Sequence, residues 1–440
     1  MSTVDHLTAF TPRPPGPDSA GPHAADLDLT PWRARWAFGL VLVAAALTGP
    51  VGYAGQNAYA ALVGLAGIAS LPLLGVRRPV MPGLAILLAL ALWAVISMGW
   101  SVDAPVHPDF HRYKEVQALT AIKLVLETGF YGAFVFLARE TPGRRAGLVL
   151  AALAIGVGLI TLLMSMDAIS GSAIYRGLRL SAHAADKPEI IQRNAGRGCF
   201  TVALLFWPTA IWLHRTGRTV GAVALAIGLV IASIGLRVDS PLVALVLGGA
   251  VLYAVQRFGR PVIWALLALT MLYFALAPVF FEMLGHVLPR FHGDQGLAKA
   301  SWGIRLDIWR FTSAKIAERP WLGWGMDASR VWPEIPLHPH NAALQLWFEL
   351  GVVGAAIAAL FWSYVWAQIG VLADTDRFNA GVFAAVAVAY LAIGGMSFGV
   401  WQEWWLALGA LAVVICQIFD KAFPDWRPSG ALEELVPLTT

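Results

Sequence analysis

Two sets of residues in this 440-residue chain have types and spacings suited to proton transfer and to anion binding. The first is Leu337-His338-Pro339-His340-Asn341, which carries two of the ten histidines one residue apart. Histidine takes and gives protons near neutrality because its ordinary pKa is ~6.5. Pro339 pushes His338 toward an extended backbone and suits the opening turn of a helix. Asn341–Leu350 reads as helical, with Leu344, Trp347 and Phe348 on its apolar side. His340 is thereby expected where a loop becomes a helix. The second set is cationic. Arg193-Asn194-Ala195-Gly196-Arg197 puts two guanidinium groups a turn apart at a helix start, an end that favours anions even without side chains. Arg237 lies in Gly235-Leu236-Arg237-Val238-Asp239-Ser240-Pro241, and Arg305 shares a helical face with Trp309 and Thr312. Arginine engages phosphate oxygens bidentately and stays charged. Lys123, one turn before Glu127 in an apolar stretch, is an ionisable group inside an expected span and therefore a functional candidate, with mutual pairing as the plain alternative.

These residues need elements to hold them, and the composition names the solvent. Hydrophobic residues make up 58% of the chain and charged residues 13%, against about 25% charged in a soluble domain. Apolar runs near the roughly 20 residues that cross a bilayer recur along the chain, so the expected fold is all-α and polytopic, with about twelve membrane helices. The expected spans are Trp36–Val51, Ala58–Val76, Val80–Trp100, Ala118–Leu137, Ala146–Met166 and Cys199–Leu213. They continue as Thr219–Leu236, Pro241–Val255, Val262–Leu284, Leu350–Val371, Gly381–Phe398 and Trp404–Phe419. Residues 1–33, rich in Pro, Ala, Asp and His, read as a disordered cytoplasmic tail. Residues 34–284 hold the first nine spans, 285–349 a large external loop, 350–420 the last three spans, and 421–440 a second cytoplasmic tail. Cys199 and Cys416 lie in apolar stretches and read as small buried hydrophobes.

Orientation follows from short loops. Arg77-Arg78, Arg139 with Arg144-Arg145, Arg215 with Arg218, Arg257 with Arg260, Arg377, and Lys421 with Arg427 fall on one side. The connections near Gly52–Asn57 and Gly399–Glu403 carry no Lys or Arg. The positive-inside bias puts the basic side and both termini in the cytoplasm. Three longer segments, Ser101–Gln117, Asp167–Gly198 and Gly285–Glu349, then lie outside with many basic residues. Long loops translocate largely regardless of charge, so those cations ask for an anionic ligand.

His340-Asn341, nine residues, Gly351, two residues, Gly354 resembles the H-[NSQ]-x9-G-x-x-[GTY] signature of bacterial O-antigen ligases. Upstream, Ser301-Trp302-Gly303-Ile304-Arg305-Leu306-Asp307-Ile308-Trp309, running into Pro320-Trp321-Leu322-Gly323-Trp324-Gly325, is similar to the S-x-R-x-x-x-W … P-x-x-G-x-G stretch of the same O-antigen ligase and Wzy-type polymerase superfamily, with one extra residue between Ser and Arg. Phe398-Gly399-Val400-Trp401-Gln402-Glu403-Trp404-Trp405 looks like an external aromatic anchor of its relatives. The resemblance is strongest over Ser301–Trp405. Arg237 departs from it, being shifted by a few positions from the Arg that the family often carries in a Ser/Thr-rich turn.

The resemblance implies a metal-independent glycan transfer from undecaprenyl pyrophosphate to lipid A–core at the periplasmic face of the inner membrane. It implies His340 as the base that takes the acceptor proton, with His338 the second choice and Asn341 positioning the imidazole or the acceptor. Arg305, Arg193, Arg197 and Arg237 become the candidates for holding the departing pyrophosphate, with Lys123 beside them as an ionisable candidate within a span. Glu403 is expected to orient a catalytic histidine. No cofactor or metal is expected: D-x-D occurs only at Asp26-Leu27-Asp28 and Asp374-Thr375-Asp376, both on the expected cytoplasmic side. The donor should be lipid-linked, since no nucleotide fingerprint is present, and no nucleic acid is expected as a partner. Alternatives are a polysaccharide polymerase using the same groups, a protein O-glycosylating variant, or, from another class, a secondary transporter or lipid flippase. Against the last, the halves show no internal repeat.

Overall fold

The structure, a computed structural model, describes residues 31–74, 81–102, 120–178, 180, 188–287 and 300–423. The expected tails at 1–33 and 421–440 lie mostly outside them, as do Arg77-Arg78 and most of the loop 101–117; residues 31–33 already belong to the first helix and 421–422 to the last. The helices are α1 (Pro31–Ala54), α2 (Ala58–Leu74), α3 (Pro82–Ser97), α4 (Thr120–Ala138) and α5 (Ala146–Ser170). Next come α6 (Ala173–Gly177), α7 (Pro188–Ala195), α8 (Gly198–Arg215), α9 (Thr219–Gly235) and α10 (Ser240–Phe258). The chain ends with α11 (Arg260–Val287), α12 (Ala300–Glu318), α13 (Ala342–Thr375), α14 (Arg377–Gly394) and α15 (Glu403–Ala422). No strand occurs among the described residues.

Eight of the helical segments are long and apolar enough to cross a bilayer, with α7 and α8 counted as one, and α2, α3 and α9 are shorter apolar helices. The chain is an all-α, multi-pass membrane protein. Helix is forced here because every buried backbone N–H and C=O must find its partner within the segment. On α5 the apolar residues divide into two stripes. Leu148, Ile155, Leu159, Leu162, Met166 and Ile169 are exposed, whereas Val149, Leu153, Val157, Ile160 and Met164 are buried. A helix apolar on both faces suits lipid on one side and protein on the other. Water does not drive these helices together, so small residues let backbones approach. A Cβ on Gly49 of α1 would sit 2.2 Å from the Gly156 carbonyl oxygen of α5.

Helices α1, α2, α4, α5, α8 and α14 surround α15 in one core, while α3, α11, α12 and the first turns of α13 form a second core that carries the loop 326–340. The basic connections gather at one end of this bundle. Lys421 donates to the carbonyls of Arg139 and Thr141, Arg215 lies over Phe378, and Arg260 pairs with Asp374 at 2.7 Å. His340, Ser397, Asp239 and Glu403 collect at the other end, which the short basic loops avoid.

One joint positions that second end. Helix α13 is broken at Gly351, where φ is 65° and ψ is −164°, a region essentially closed to residues with a Cβ. The break releases carbonyls that a continuous helix would use. Trp324 N–H takes Phe348 O at 2.8 Å, Gly325 N–H takes Glu349 O at 2.8 Å, and Trp93 Nε1–H takes Leu350 O at 3.1 Å. Val352 N–H in turn donates to Pro320 O at 2.9 Å. The Pro320–Gly325 motif and the Gly351 motif are therefore two halves of one backbone joint. A Cβ on Gly351 would stand 2.2 Å from Trp321 O.

Gly351→Ala should accordingly lower the thermal midpoint of the purified protein far more than Gly217→Ala. Gly217 also has a positive φ, of 78°, but opens onto free space, so it should cost only the left-handed penalty of ~1–2 kcal/mol. Equal midpoints for the two variants would contradict the joint.

Candidate active site

The site is assembled on the loop between α12 and α13. Leu337, at φ 71°, centres a tight turn closed by His338 N–H to Pro336 O at 2.9 Å, a strained three-residue geometry. Trp309, buried on α12, donates its Nε1–H to Pro339 O at 2.9 Å and ties the loop to that helix. His340 follows at φ 57°, a left-handed conformation uncommon outside glycine. Asn341 then starts α13 as its N-cap. Its Oδ1 accepts from Leu344 N–H and from the Tyr273 hydroxyl, each at 3.0 Å, and its Nδ2 donates to Gly395 O at 2.9 Å. Asn341 is fully buried, and its carbonyl oxygen has no lone pair left for a ligand.

His340 Nδ1 lies 3.0 Å from the carbonyl oxygen of Ser397. A carbonyl only accepts, so this nitrogen carries the proton and Nε2 keeps the lone pair. Nε2 has no hydrogen-bond partner among the described residues. The basicity of the ring is lowered, chiefly by burial and further by the guanidinium groups of Arg305 and Arg193, against an opposing pull from the Ser397 carbonyl. The imidazole is thus neutral at neutral pH. Ser397 is itself fixed, its hydroxyl sharing a short hydrogen bond with Ser240 at the start of α10.

The other cations meet there from three elements. Arg305 lies with its guanidinium carbon 5.0 Å from the Trp302 ring centroid, and its pKa is lowered by burial against a favourable pull from Asp239. It is partly buried, near enough to the histidines for its charge to lower the basicity of both rings. Arg193 and Arg197 straddle the α7–α8 junction, close enough to repel each other. Between them Gly196 packs so tightly on the α9–α10 turn that a Cβ would stand 3.1 Å from Leu236 Cβ. That turn carries Arg237, at φ 58° and exposed, and Asp239. His340, Arg305, the Arg193–Arg197 pair and Arg237 thus come from four separate segments to one end of the bundle.

Other sequence candidates are placed differently. Lys123 pairs with Glu403 across α4 and α15, where intrahelical pairing with Glu127 was the alternative to a functional role. Glu403 does not orient His340; the Ser397 carbonyl does. His338 is buried, with both ring nitrogens engaged inside the protein. Sequence reasoning passed over Glu349, which is fully buried and accepts from Ser329 Oγ at 2.7 Å, Gln345 Nε2 at 3.1 Å, Asp327 N–H at 3.2 Å and Trp401 Nε1 at 2.5 Å. It pins two loops, around residues 327–329 and around 401, to α13. Gln345 extends the hub by accepting from Val400 N–H at 2.8 Å. Among the described residues no cluster of three or more His, Cys, Asp or Glu could hold a metal ion.

Below the histidines a cavity of about 530 Å³ runs between α3, α4, α13, α14 and α15. Tyr273, Ala342 and the segment 398–401 close its upper end, and Arg139 and Gln417 mark the lower one. Its walls are overwhelmingly apolar, with Leu87, Leu124, Phe361 and Tyr390 among them.

Comparison with known proteins bears on this arrangement. The family model described as O-Antigen ligase matches residues 221–359, which include Arg237, Arg305, His338, His340, Glu349 and Gly351. A Rickettsia conorii protein provisionally named a polysaccharide ligase is 30% identical over 247 residues, covering 52% of this chain and 58% of the relative. A Rickettsia felis protein of the same name is 30% identical over 249 residues, with 52% and 58% covered. One from Rickettsia bellii is 31% identical over 194 residues, with 40% and 46% covered. The chain thus spans under two thirds of the length of these curated relatives. No solved structure matches. The segment that carries the His340 loop and the Gly351 joint is thus the part of the chain that resembles the O-antigen ligases.

Proposed function

We propose that this protein transfers a glycan from undecaprenyl pyrophosphate to lipid A–core at the periplasmic face of the bacterial inner membrane. The observation that carries the reading is the free Nε2 of a neutral His340 within the fields of Arg305 and Arg193. In the step, an acceptor hydroxyl oxygen attacks the anomeric carbon while His340 Nε2 takes the hydroxyl proton. The bond from that carbon to the pyrophosphate oxygen breaks, and the pyrophosphate leaves with the electron pair, its charge met by the guanidinium groups. The provisional name of the Rickettsia relatives supports the ligase reading. The apolar cleft, which reaches Ala342 and Gly399 beside the histidines, supports a lipid-linked substrate, since it offers a hydrocarbon-like lining next to them. The grouping of short basic connections at the opposite end supports a periplasmic site through the positive-inside bias.

In proteoliposomes given undecaprenyl-pyrophosphate-linked glycan and lipid A–core, the wild-type protein should ligate glycan to core. Chain extension without ligation would mark a polymerase instead. His340→Ala should lower transfer by ~10²–10⁴-fold while the protein stays folded; retained activity would end the assignment of His340 as base. Arg305→Lys should cost roughly 10–100-fold, the loss of a charge-assisted bidentate contact, whereas Arg257→Lys at the opposite end should be silent. The acid limb of kcat/KM should fall below the ordinary histidine value, with activity rising through it and flat across neutrality, because the base works deprotonated. Removing the charge in Arg305→Leu should move that limb upward, and an unmoved limb would separate Arg305 from His340.

A further inference from the structure

His338 is not spare chemistry beside His340. Its Nδ1 accepts from the backbone N–H of His340 at 3.1 Å. A neutral imidazole has one acceptor nitrogen, so Nε2 must carry the proton. Nε2 lies 3.0 Å from the side-chain amide of Gln402. An amide turned with Oε1 toward the ring receives that proton and also satisfies an oxygen otherwise buried without a partner. The two imidazoles are 4.2 Å apart between centroids, tilted by 59°. Gly399 closes over His338, where a Cβ would stand 2.9 Å from His338 Cγ. The result is a line from Gln402 through His338 to the His340 backbone, while Ser397 holds the His340 ring from the other side.

We infer that His338 and Gln402 are positioning residues that hold His340 in its left-handed backbone, so that the two histidines stand in opposite tautomers and His340 Nε2 faces the acceptor. His338 stays neutral at any working pH because burial, with neighbouring His340, Arg330 and Arg305, pushes its pKa down to about 3. Its part in catalysis rests on the ligase reading, but the tautomer pair does not.

Ring ¹⁵N shifts of histidine-labelled protein in nanodiscs test the arrangement directly. The wild-type spectrum should contain an Nδ1-protonated ring that disappears in His340→Ala and an Nε2-protonated ring that disappears in His338→Asn. Asn places Oδ1 where the Nδ1 acceptor was, so His338→Asn should keep the His340 tautomer, whereas His338→Ala should mix it. In the transfer assay kcat should fall ~10–100-fold in His338→Ala, the scale of a misplaced catalytic group, with donor KM unchanged and most of the loss recovered in His338→Asn. If His338→Ala does not fold, Gln402→Met takes its place, with the same kcat-only loss expected. A single tautomer shared by both histidines, a His340 signal indifferent to His338→Ala (or to Gln402→Met), or a loss confined to donor KM would overturn the inference. An inactive wild type with the opposite tautomers intact would count against the ligase reading alone.

Discussion

The hydrogen bond from His340 Nδ1–H to the Ser397 carbonyl is the contact on which the rest of the site depends. It chooses the tautomer, fixes the ring plane and leaves one lone pair for a substrate. It also sets requirements on everything around it. His340 must enter a left-handed backbone to present Nδ1 to a carbonyl 57 residues away. Asn341 must end the loop at once by capping α13, and Ser397 must be held still by α10 through Ser240. Each of these is a local cost that the surrounding packing offsets.

The helix break at Gly351 extends the same logic. A straight α13 would leave the Trp324 and Gly325 N–H groups without the carbonyls of Phe348 and Glu349 and would carry residues 342–350 away from α12. By breaking, the helix hands three carbonyls to Trp324, Gly325 and Trp93 and keeps its first turns under the histidines. Glu349, at the last residue but one before the break, fastens the loops around 327 and 401 to that segment. The motifs of this segment therefore serve two different ends here. The histidine end presents the free ring nitrogen of His340, and the glycine end carries the joint that positions it.

Much of this was legible in the sequence, for definite reasons. Hydrocarbon solvent imposes long apolar helices, so the all-α membrane fold could be read from composition and run length. Pro339 before an apolar stretch reads as the opening of a helix, and the spacing of Arg305, Trp309 and Thr312 puts them on one face; Thr312 and Trp309 are indeed buried along it. What stayed hidden was tertiary. The partner of His340 is a backbone carbonyl, which leaves no trace in residue type. Lys123 has a visible acid four residues on, yet pairs with Glu403, 280 positions away. His338 and Asn341 carry groups that suit a ligand equally well, and only the fold reveals that internal bonds have consumed them.

The most direct test of the central claim is where a polyprenyl diphosphate sits. A cryo-electron microscopy map of the protein in nanodiscs with undecaprenyl pyrophosphate would decide it. The account predicts diphosphate density within hydrogen-bonding reach of Arg305 and Arg193, on the side to which His340 Nε2 points. Density at the opposite end of the bundle, beside Arg215 and Arg260, would contradict it.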